Sequence, residues 1–186
     1  RGSPDRRPTL TDSLTRPLRR AVGNGRAADA RAVSASPPTD NAAVDGYAFR
    51  FADSVAGAET VLPVTGRSAA GHPLQGSLGS GSAARIFTGA VVPDGADTVV
   101  MQEDVTVDGA GNVTIPPGLK PGANRRRAGE DIAAGAILLR AGRRLGPAEI
   151  ALLAAGGLTD VAVHRRPRVI IFSTGDEILR SGGAPQ

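Results

Sequence analysis

Four glycine-containing loops carry carboxylates that could bind a metal ion or a phosphate ester. The first, DNAAVDGYA at residues 40–48, contains Asp40 and Asp45. Carboxylates combined with hydroxyl groups and open backbone N–H groups suit Mg²⁺ and phosphate oxygens. The other three loops are FTGAVVPDGAD (87–97), AGEDI (128–132) and STGDEI (173–178).

Each of these loops, taken singly, is also typical of a plain turn. Asp, Asn and Gly build turns for local reasons, through side-chain hydrogen bonds and tolerance of unusual backbone angles. We therefore interpret Asp45 and Gly46 as turn-forming residues and Tyr47 as a packing residue. Four such loops in one chain favour a shared acidic site, but their spacing leaves open whether they converge.

The composition narrows the classes of protein. The 186 residues are 40% hydrophobic and 22% charged, which is typical of a globular chain. The lack of cysteine excludes disulfides, thiolate zinc sites and thiol catalysis. His72 and His164 are far apart in sequence, which argues against a histidine metal site. No apolar run approaches the roughly 20 residues of a membrane-spanning helix, and no signal peptide is visible, so we expect a cytoplasmic protein.

The positive charge allows a second interpretation, a nucleic-acid-binding module. The net charge is +4, and arginines cluster at 125–127, at 143–144 and around 165–168. Arginine forks suit phosphates and other oxyanions, although the same clusters could be solvated turns. Aromatic residues make up only 3%, which argues against stacking on bases. A steep loss of affinity with added salt would be the signature of such a module.

Two glycine-rich stretches imitate nucleotide-binding motifs without completing them. Residues 79–84 (GSGSAA) fit a loose dinucleotide fingerprint, but residues 85–88 read as a strand where a helix is required. Residues 89–95 (GAVVPDG) have glycines at the spacing of a phosphate-binding loop, but no Lys-Ser/Thr follows. Neither stretch supports a nucleotide site of these kinds.

The elements that would position the four loops change in character along the chain. Residues 10–30 predict helix fragments, and 31–39 predict a short strand followed by a Pro-Pro linker. From 44 to about 127, short β-like runs alternate with Gly- and Pro-rich turns, which predicts an all-β module.

The pattern changes again after residue 127. GPAEIALLAAGG predicts a helix with Pro147 in its first turn and Gly156 at its end, between two strands. The apolar run from Val169 to Phe172, followed by a polar glycine loop, predicts a buried strand that opens a parallel α/β unit. The fold class is thus α+β, mostly β, with several domains.

Longer motifs now connect these loops to a known family. DNAAVDGYAF, RIFTGAVVPDGADTVVMQED, RRRAGEDIAAGAILLRAGRRLGPAEIALLAAGG and RPRVIIFSTGDEI occur in this order. Together they resemble the molybdopterin molybdotransferase family, that of bacterial MoeA and the gephyrin E domain, from about residue 18 to 180. Four separated motifs in register make the resemblance highly specific.

The resemblance implies an activity in molybdenum cofactor biosynthesis. Family members insert molybdenum from molybdate into adenylylated molybdopterin, release AMP and need Mg²⁺. The family implies a homodimer, with molybdopterin adenylyltransferase as the upstream partner. It also implies domain boundaries: an elongated first domain from residues 1–39 and 128–167, an inserted β-rich domain at 40–127, and the start of an α/β molybdopterin-binding domain at 168–186.

The resemblance also implies which residues are catalytic, bind the metal or bind the cofactor. Carried over by position, the catalytic residues are Asp40, Thr88, Asp131 and Glu177, with Asp40 and Glu177 as the metal ligands. The cofactor-binding residues would be Gly89, Ser173, Thr174, Gly175 and Asp176.

Two features depart from the family pattern. Ala42 and Val44 replace the usual serine and methionine of the first motif, which spares the carboxylates. The sequence reaches only the start of the third domain, which supplies much of the pterin and nucleotide pocket. An alternative is therefore an inactive dimerisation or scaffold fragment of the same family.

Overall fold

The computed structural model describes residues 12–167, 169–172 and 174, and this part of the chain is mostly β. Its α-helix, α1, is Pro147–Ala155, and short 3₁₀ turns are Leu18–Arg20, Phe51–Asp53 and Gln102–Asp104. The strands are β1 Ser13–Pro17, β2 Ala30–Arg31, β3 Asn41–Ala42, β4 Gly46–Phe49, β5 Thr60–Ser68, β6 Ala83–Ile86, β7 Thr98–Met101, β8 Thr106–Val107, β9 Asn112–Ile115, β10 Arg125–Arg126, β11 Ile137–Leu139 and β12 Asp160–His164.

The early and late parts of the described chain pair with each other. β1 runs antiparallel to β12, and β2 runs antiparallel to β11. Helix α1 packs beside β11 and the first 3₁₀ turn. Their shared core is the cluster Leu18, Ala21, Ala30, Leu145, Leu153, Val161 and Val163.

A six-stranded sheet in the order β7-β4-β6-β5-β9-β8 occupies the middle of the chain. Strand β5 pairs with a different neighbour along each part of its length. Val64–Ser68 pairs parallel with β6, and Thr60–Pro63 pairs antiparallel with β9. The register shifts between Val64 and Gly66, as at a β-bulge, which bends a strand and increases its twist.

Successive side chains of β4 alternate between two apolar clusters. Ala48 contributes to one, with Ala42, Ile86, Ala90, Val92 and Val99. Phe49 contributes to the other, with Leu62, Ala83, Val100, Val113 and Ile115. This alternation of period two buries apolar side chains on both faces of the strand.

The mostly β prediction is confirmed, as is the helix at Pro147–Ala155. Pro147 stands at the first turn of the helix, where its missing N–H costs nothing. The Glu149 carboxylate accepts the Gly146 N–H at 3.0 Å and closes the N-terminus. The division into a discontinuous first domain and an inserted domain stays a prediction.

The prediction of helix fragments over residues 10–30 is wrong for the described residues. Ser13–Pro17 is a strand, because all five residues pair with the distant strand β12. Only the 3₁₀ turn at Leu18–Arg20 remains of the helical pattern. Long-range pairing outweighs local helix propensity, which is a weak preference.

The strand expected at Val169–Phe172 is also wrong in this structure. These four residues have no regular secondary structure, and their exposed fractions run from 75% to 88%. An apolar run becomes a buried strand only when neighbouring strands satisfy its backbone N–H and C=O groups. None of the described strands pairs with this segment. Separately, no helix within the described residues is long and apolar enough to cross a membrane.

Gly46 provides a test of how closely the sheet is packed. A Cβ atom at this position would lie 1.8 Å from the backbone oxygen of Val100 in β7. Gly46→Ala must push two paired strands apart, so we expect unfolding to become easier by about 1–3 kcal/mol or more, the range of overpacked cores. Urea denaturation measures the change.

Gly109→Ala is the matched control, because a Cβ atom there meets nothing within 4 Å. We expect this variant to stay close to the parent in stability. Equal stability of the two alanine variants would contradict the packing argument.

Candidate functional site

Strand β3 brings three of the four predicted loops together. Arg125 and Arg126 pair with Ala42 and Asn41 on one side of β3. On the other side the Ala42 N–H donates to the backbone oxygen of Ala90 at 2.9 Å, and the Val92 N–H donates to the backbone oxygen of Asp40 at 3.0 Å. The loops at 40–48, 87–97 and 128–132 are therefore linked through main-chain hydrogen bonds.

Asp40 lies at the junction of the first and third loops. Its Oδ1 accepts the backbone N–H of Ala128 at 2.8 Å, and its Oδ2 lies 3.4 Å from Nη1 of Arg125. The Asp40 side chain is 39% exposed, so it also faces solvent. An ionised carboxylate has about four lone-pair sites, and two of them are occupied here. Asp40 can thus still accept hydrogen bonds from a ligand or from water.

An open pocket adjoins Asp40. Its volume is about 360 Å³, and it is lined by Thr39, Asp40 and the segment 91–96. The pocket therefore places free space next to Asp40, whose carboxylate has acceptor capacity left.

Thr88 is held by Asp45, which sequence reasoning interpreted only as a turn former. The backbone N–H and the hydroxyl of Thr88 both donate to Asp45 Oδ1 at 2.7 Å. These two hydrogen bonds, helped by the charge of Arg85, lower the pKa of Asp45 from its ordinary value. Since the Thr88 hydroxyl donates its proton to Asp45, the hydroxyl oxygen can only accept a hydrogen bond from a ligand.

Gly89 offers less to a ligand than its loop position suggests. Its N–H already donates to the Ala42 oxygen at 2.8 Å, so it is not free to bind an anion. Its φ is +78°, and a Cβ atom there would meet nothing within 4 Å. What Gly89 contributes is the left-handed turn and open space beside Thr88.

Asp131 shares an arginine with its neighbour Glu130. Arg126 Nη2 lies 2.5 Å from Asp131 Oδ1, and Arg126 Nε lies 3.3 Å from Glu130 Oε1. The hydrogen bond to Asp131 and then that to Glu130 raise the pKa of Arg126. Backbone N–H groups of Asp131 and Gly129 donate to Ser36 and Pro37, which ties this loop to the Pro-Pro linker.

Most of the fourth loop, 173–178, lies outside the described residues. Glu177, Ser173, Gly175 and Asp176 lie outside the described residues. Thr174 is described, and it is exposed and irregular. The predicted roles of these five residues stay predictions.

The described residues do not by themselves form a magnesium site. Within residues 12–167, 169–172 and 174, no group of three carboxylate or histidine side chains could hold a metal ion. Asp40 has an arginine rather than a second carboxylate beside it. Magnesium takes oxygen ligands, so the pair predicted at Asp40 and Glu177 depends on the undescribed loop.

Sequence reasoning missed three side chains that position the site. Asp45 holds Thr88, while Arg125 and Arg126 hold Asp40 and Asp131. The run Arg125–Arg127 directly before AGEDI was noted for its affinity for oxyanions. Its proximity to a carboxylate loop was the signal that could have indicated these ion pairs.

Known structures share this arrangement of strands and loops. The molybdopterin biosynthesis protein MoeA of Pyrococcus horikoshii superposes with a TM-score of 0.87 and 37% sequence identity. The match covers 94% of this chain and 45% of the solved chain. A second crystal structure of that protein matches with a TM-score of 0.77 and 36% identity, over 85% of this chain and 42% of the other.

The sequence profile described as MoeA N-terminal region (domain I and II) matches residues 6–157. The chain therefore belongs to the MoeA family and contains its N-terminal region. This assignment confirms the resemblance inferred from the four motifs.

Curated relatives agree with this assignment. The molybdopterin molybdenumtransferase of Haemophilus influenzae is 41% identical over 94% of this chain and 42% of its own length. That of a Nostoc species is 47% identical over 77% of this chain and 33% of its own length. Gephyrin of Dictyostelium discoideum is 36% identical over 89% of this chain and 24% of its own length. The chain thus spans less than half the length of each.

The hydrogen bonds between Asp45 and Thr88 make a prediction about pH. Because the folded-state pKa of Asp45 is lowered, its contribution to stability is present above the ordinary aspartate pKa of 3.8 and is lost as pH falls through the lower folded value. We expect Asp45→Asn to be less stable than the parent at neutral pH, and we expect the gap to narrow in strong acid. Urea unfolding at both pH values measures it.

Asp104→Asn serves as the control, since Asp104 is exposed in the 3₁₀ turn Gln102–Asp104. It removes an aspartate charge without removing the Thr88 contacts, and we expect it to stay close to the parent in stability at neutral pH. A stability loss in Asp45→Asn that is the same at neutral and acidic pH would refute the assignment.

Proposed function

We propose that this chain belongs to a molybdopterin molybdotransferase of molybdenum cofactor biosynthesis. The complete protein would insert molybdenum from molybdate into adenylylated molybdopterin and release AMP. The observation that carries the proposal is family membership over residues 6–157, with relatives named molybdopterin molybdenumtransferase. The joining of the loops of Asp40, Thr88 and Asp131 around β3 supports it.

The described residues support distinct tasks in such a reaction. Cleaving a phosphoanhydride requires an oriented oxygen nucleophile and stabilisation of developing negative charge. Asp40 has free acceptor sites that can orient water or a hydroxyl group beside the adjoining pocket. The Thr88 oxygen can accept a hydrogen bond from substrate.

Several further features stay predictions under this proposal. Mg²⁺ would be held by Asp40 together with Glu177. Ser173, Thr174, Gly175 and Asp176 would bind the cofactor precursor with the loop of Gly89. We also expect a cytoplasmic homodimer that receives its substrate from molybdopterin adenylyltransferase.

Asp40→Asn tests the proposal directly. An asparagine can still accept the Ala128 N–H through its side-chain oxygen, but it loses the charge that faces the pocket. In the complete protein we expect molybdate-dependent AMP release to fall by about 10²-fold or more, within the range seen when a positioned catalytic group is removed. The measurement is AMP formed from adenylylated molybdopterin, with and without molybdate.

Glu59→Gln is the matched control, because Glu59 is an exposed carboxylate in the loop before β5. We expect it to leave the rate unchanged. Normal AMP release by Asp40→Asn would remove Asp40 from the site, and no molybdate-dependent release by the complete parent protein would end the proposed function.

A further inference from the structure

Two arginines and two aromatic residues form a row on one face of the six-stranded sheet. Arg67 in β5 stands directly opposite Arg85 in β6, and Arg85 stands opposite Tyr47 in β4. Phe87 follows Arg85 by two residues, which places it on the same face by strand alternation. We call these four residues the arginine–aromatic patch.

The aromatic rings hold the two guanidinium groups in place. The Arg67 and Arg85 guanidinium carbons each lie 4.8 Å from the centroid of the Phe87 ring. Arg85 also lies 5.1 Å from the centroid of Tyr47. In a cation–π contact the flat face of the guanidinium meets the ring, and its N–H edges stay available for hydrogen bonds.

The two arginines of the patch form no salt bridge with a carboxylate among the described residues. Like charges at directly opposite positions of neighbouring strands destabilise a sheet. Among the described residues, no carboxylate oxygen lies within salt-bridge distance of Arg67 or Arg85. The Asp45 carboxylate, which is hydrogen-bonded to Thr88, offsets part of the charge of Arg85 from beyond salt-bridge distance, and Arg67 has no such contact in the described residues.

The hydrogen bonds of the two arginines differ. Arg85 Nη1 donates to the Gly46 oxygen at 3.0 Å, and its Nη2 donates to the side-chain oxygen of Gln102. The Arg67 guanidinium donates to no acceptor in the described part of the chain, and Arg67 is exposed. It therefore presents its N–H groups to solvent while its face lies against the Phe87 ring.

We propose that the arginine–aromatic patch is an oxyanion site for a phosphate ester or phosphoanhydride. Neighbouring strands are about 4.8 Å apart, so the Arg67 fork and the N–H groups of Arg85 that Gly46 and Gln102 leave unused start from adjacent positions and can approach one multi-oxygen group. A phosphate or pyrophosphate offers oxygens to both forks at once, whereas a single carboxylate has two oxygens and suits one fork. None of the four patch residues lines the Asp40 pocket, so binding at the patch can be tested separately from the proposed reaction.

Inorganic pyrophosphate is the direct probe. Titration of the folded 186-residue chain by calorimetry should detect binding, and Arg67→Gln should weaken it about tenfold or more, since hydrogen bonds to charged groups are the strong ones. Phe87→Leu should weaken it less, because both arginines stay while the ring that orders them is lost. Circular dichroism verifies that each variant is folded.

Arg140→Gln is the matched control, because it removes one exposed arginine just after β11. A parallel titration with AMP separates a site for free phosphoanhydride from one for a nucleotide phosphate, and Arg67 should matter for whichever binds. An unchanged dissociation constant in Arg67→Gln, or no binding of either probe by the folded chain, overturns the proposal. Binding only of an oligonucleotide, with a steep salt dependence, would also overturn it in favour of a nucleic-acid surface.

Discussion

The backbone pairing of Asn41 and Ala42 on both edges is the constraint on which the rest of the candidate site depends. One edge binds Arg125 and Arg126, and the other binds the segment that follows Thr88. Ala42 is 1% exposed, so only a small side chain fits between these neighbours. Gly46 also allows no larger side chain, because its backbone lies close to the backbone oxygen of Val100. Small residues in the first motif thus allow three polar loops to share one framework.

Charge is distributed unevenly around this framework. The carboxylates of Asp40 and Asp131 each have an arginine partner, and Asp45 holds Thr88 by two hydrogen bonds. These ion pairs and hydrogen bonds offset the repulsion between the acidic loops. Arg67 and Arg85 have aromatic neighbours instead of acids. The carboxylates of the candidate site and the arginines of the patch thus have different kinds of partners.

The successes and failures of sequence reasoning follow from how local each signal is. The helix at Pro147–Ala155 was predictable, because its proline start, apolar spacing and glycine end all lie within one short segment. The strand at Ser13–Pro17 was not, because its partner is the distant β12. For Val169–Phe172 the apolar run was visible, but no strand among the described residues pairs with it. Pairing across long separations carries no local signature.

The same distinction applies to the candidate site. Motif order was enough to identify the family, because the motifs are local in sequence, whereas the roles of the carboxylates and the threonine stay predictions. The partners of those residues emerged only from the folded arrangement. Thr88 and Asp45 are 43 positions apart, and Ala128 and Asp40 are 88 apart. Contacts over such separations depend on strand pairing and packing throughout the sheet, so Asp45 could look like a turn former until the fold brought Thr88 to its carboxylate.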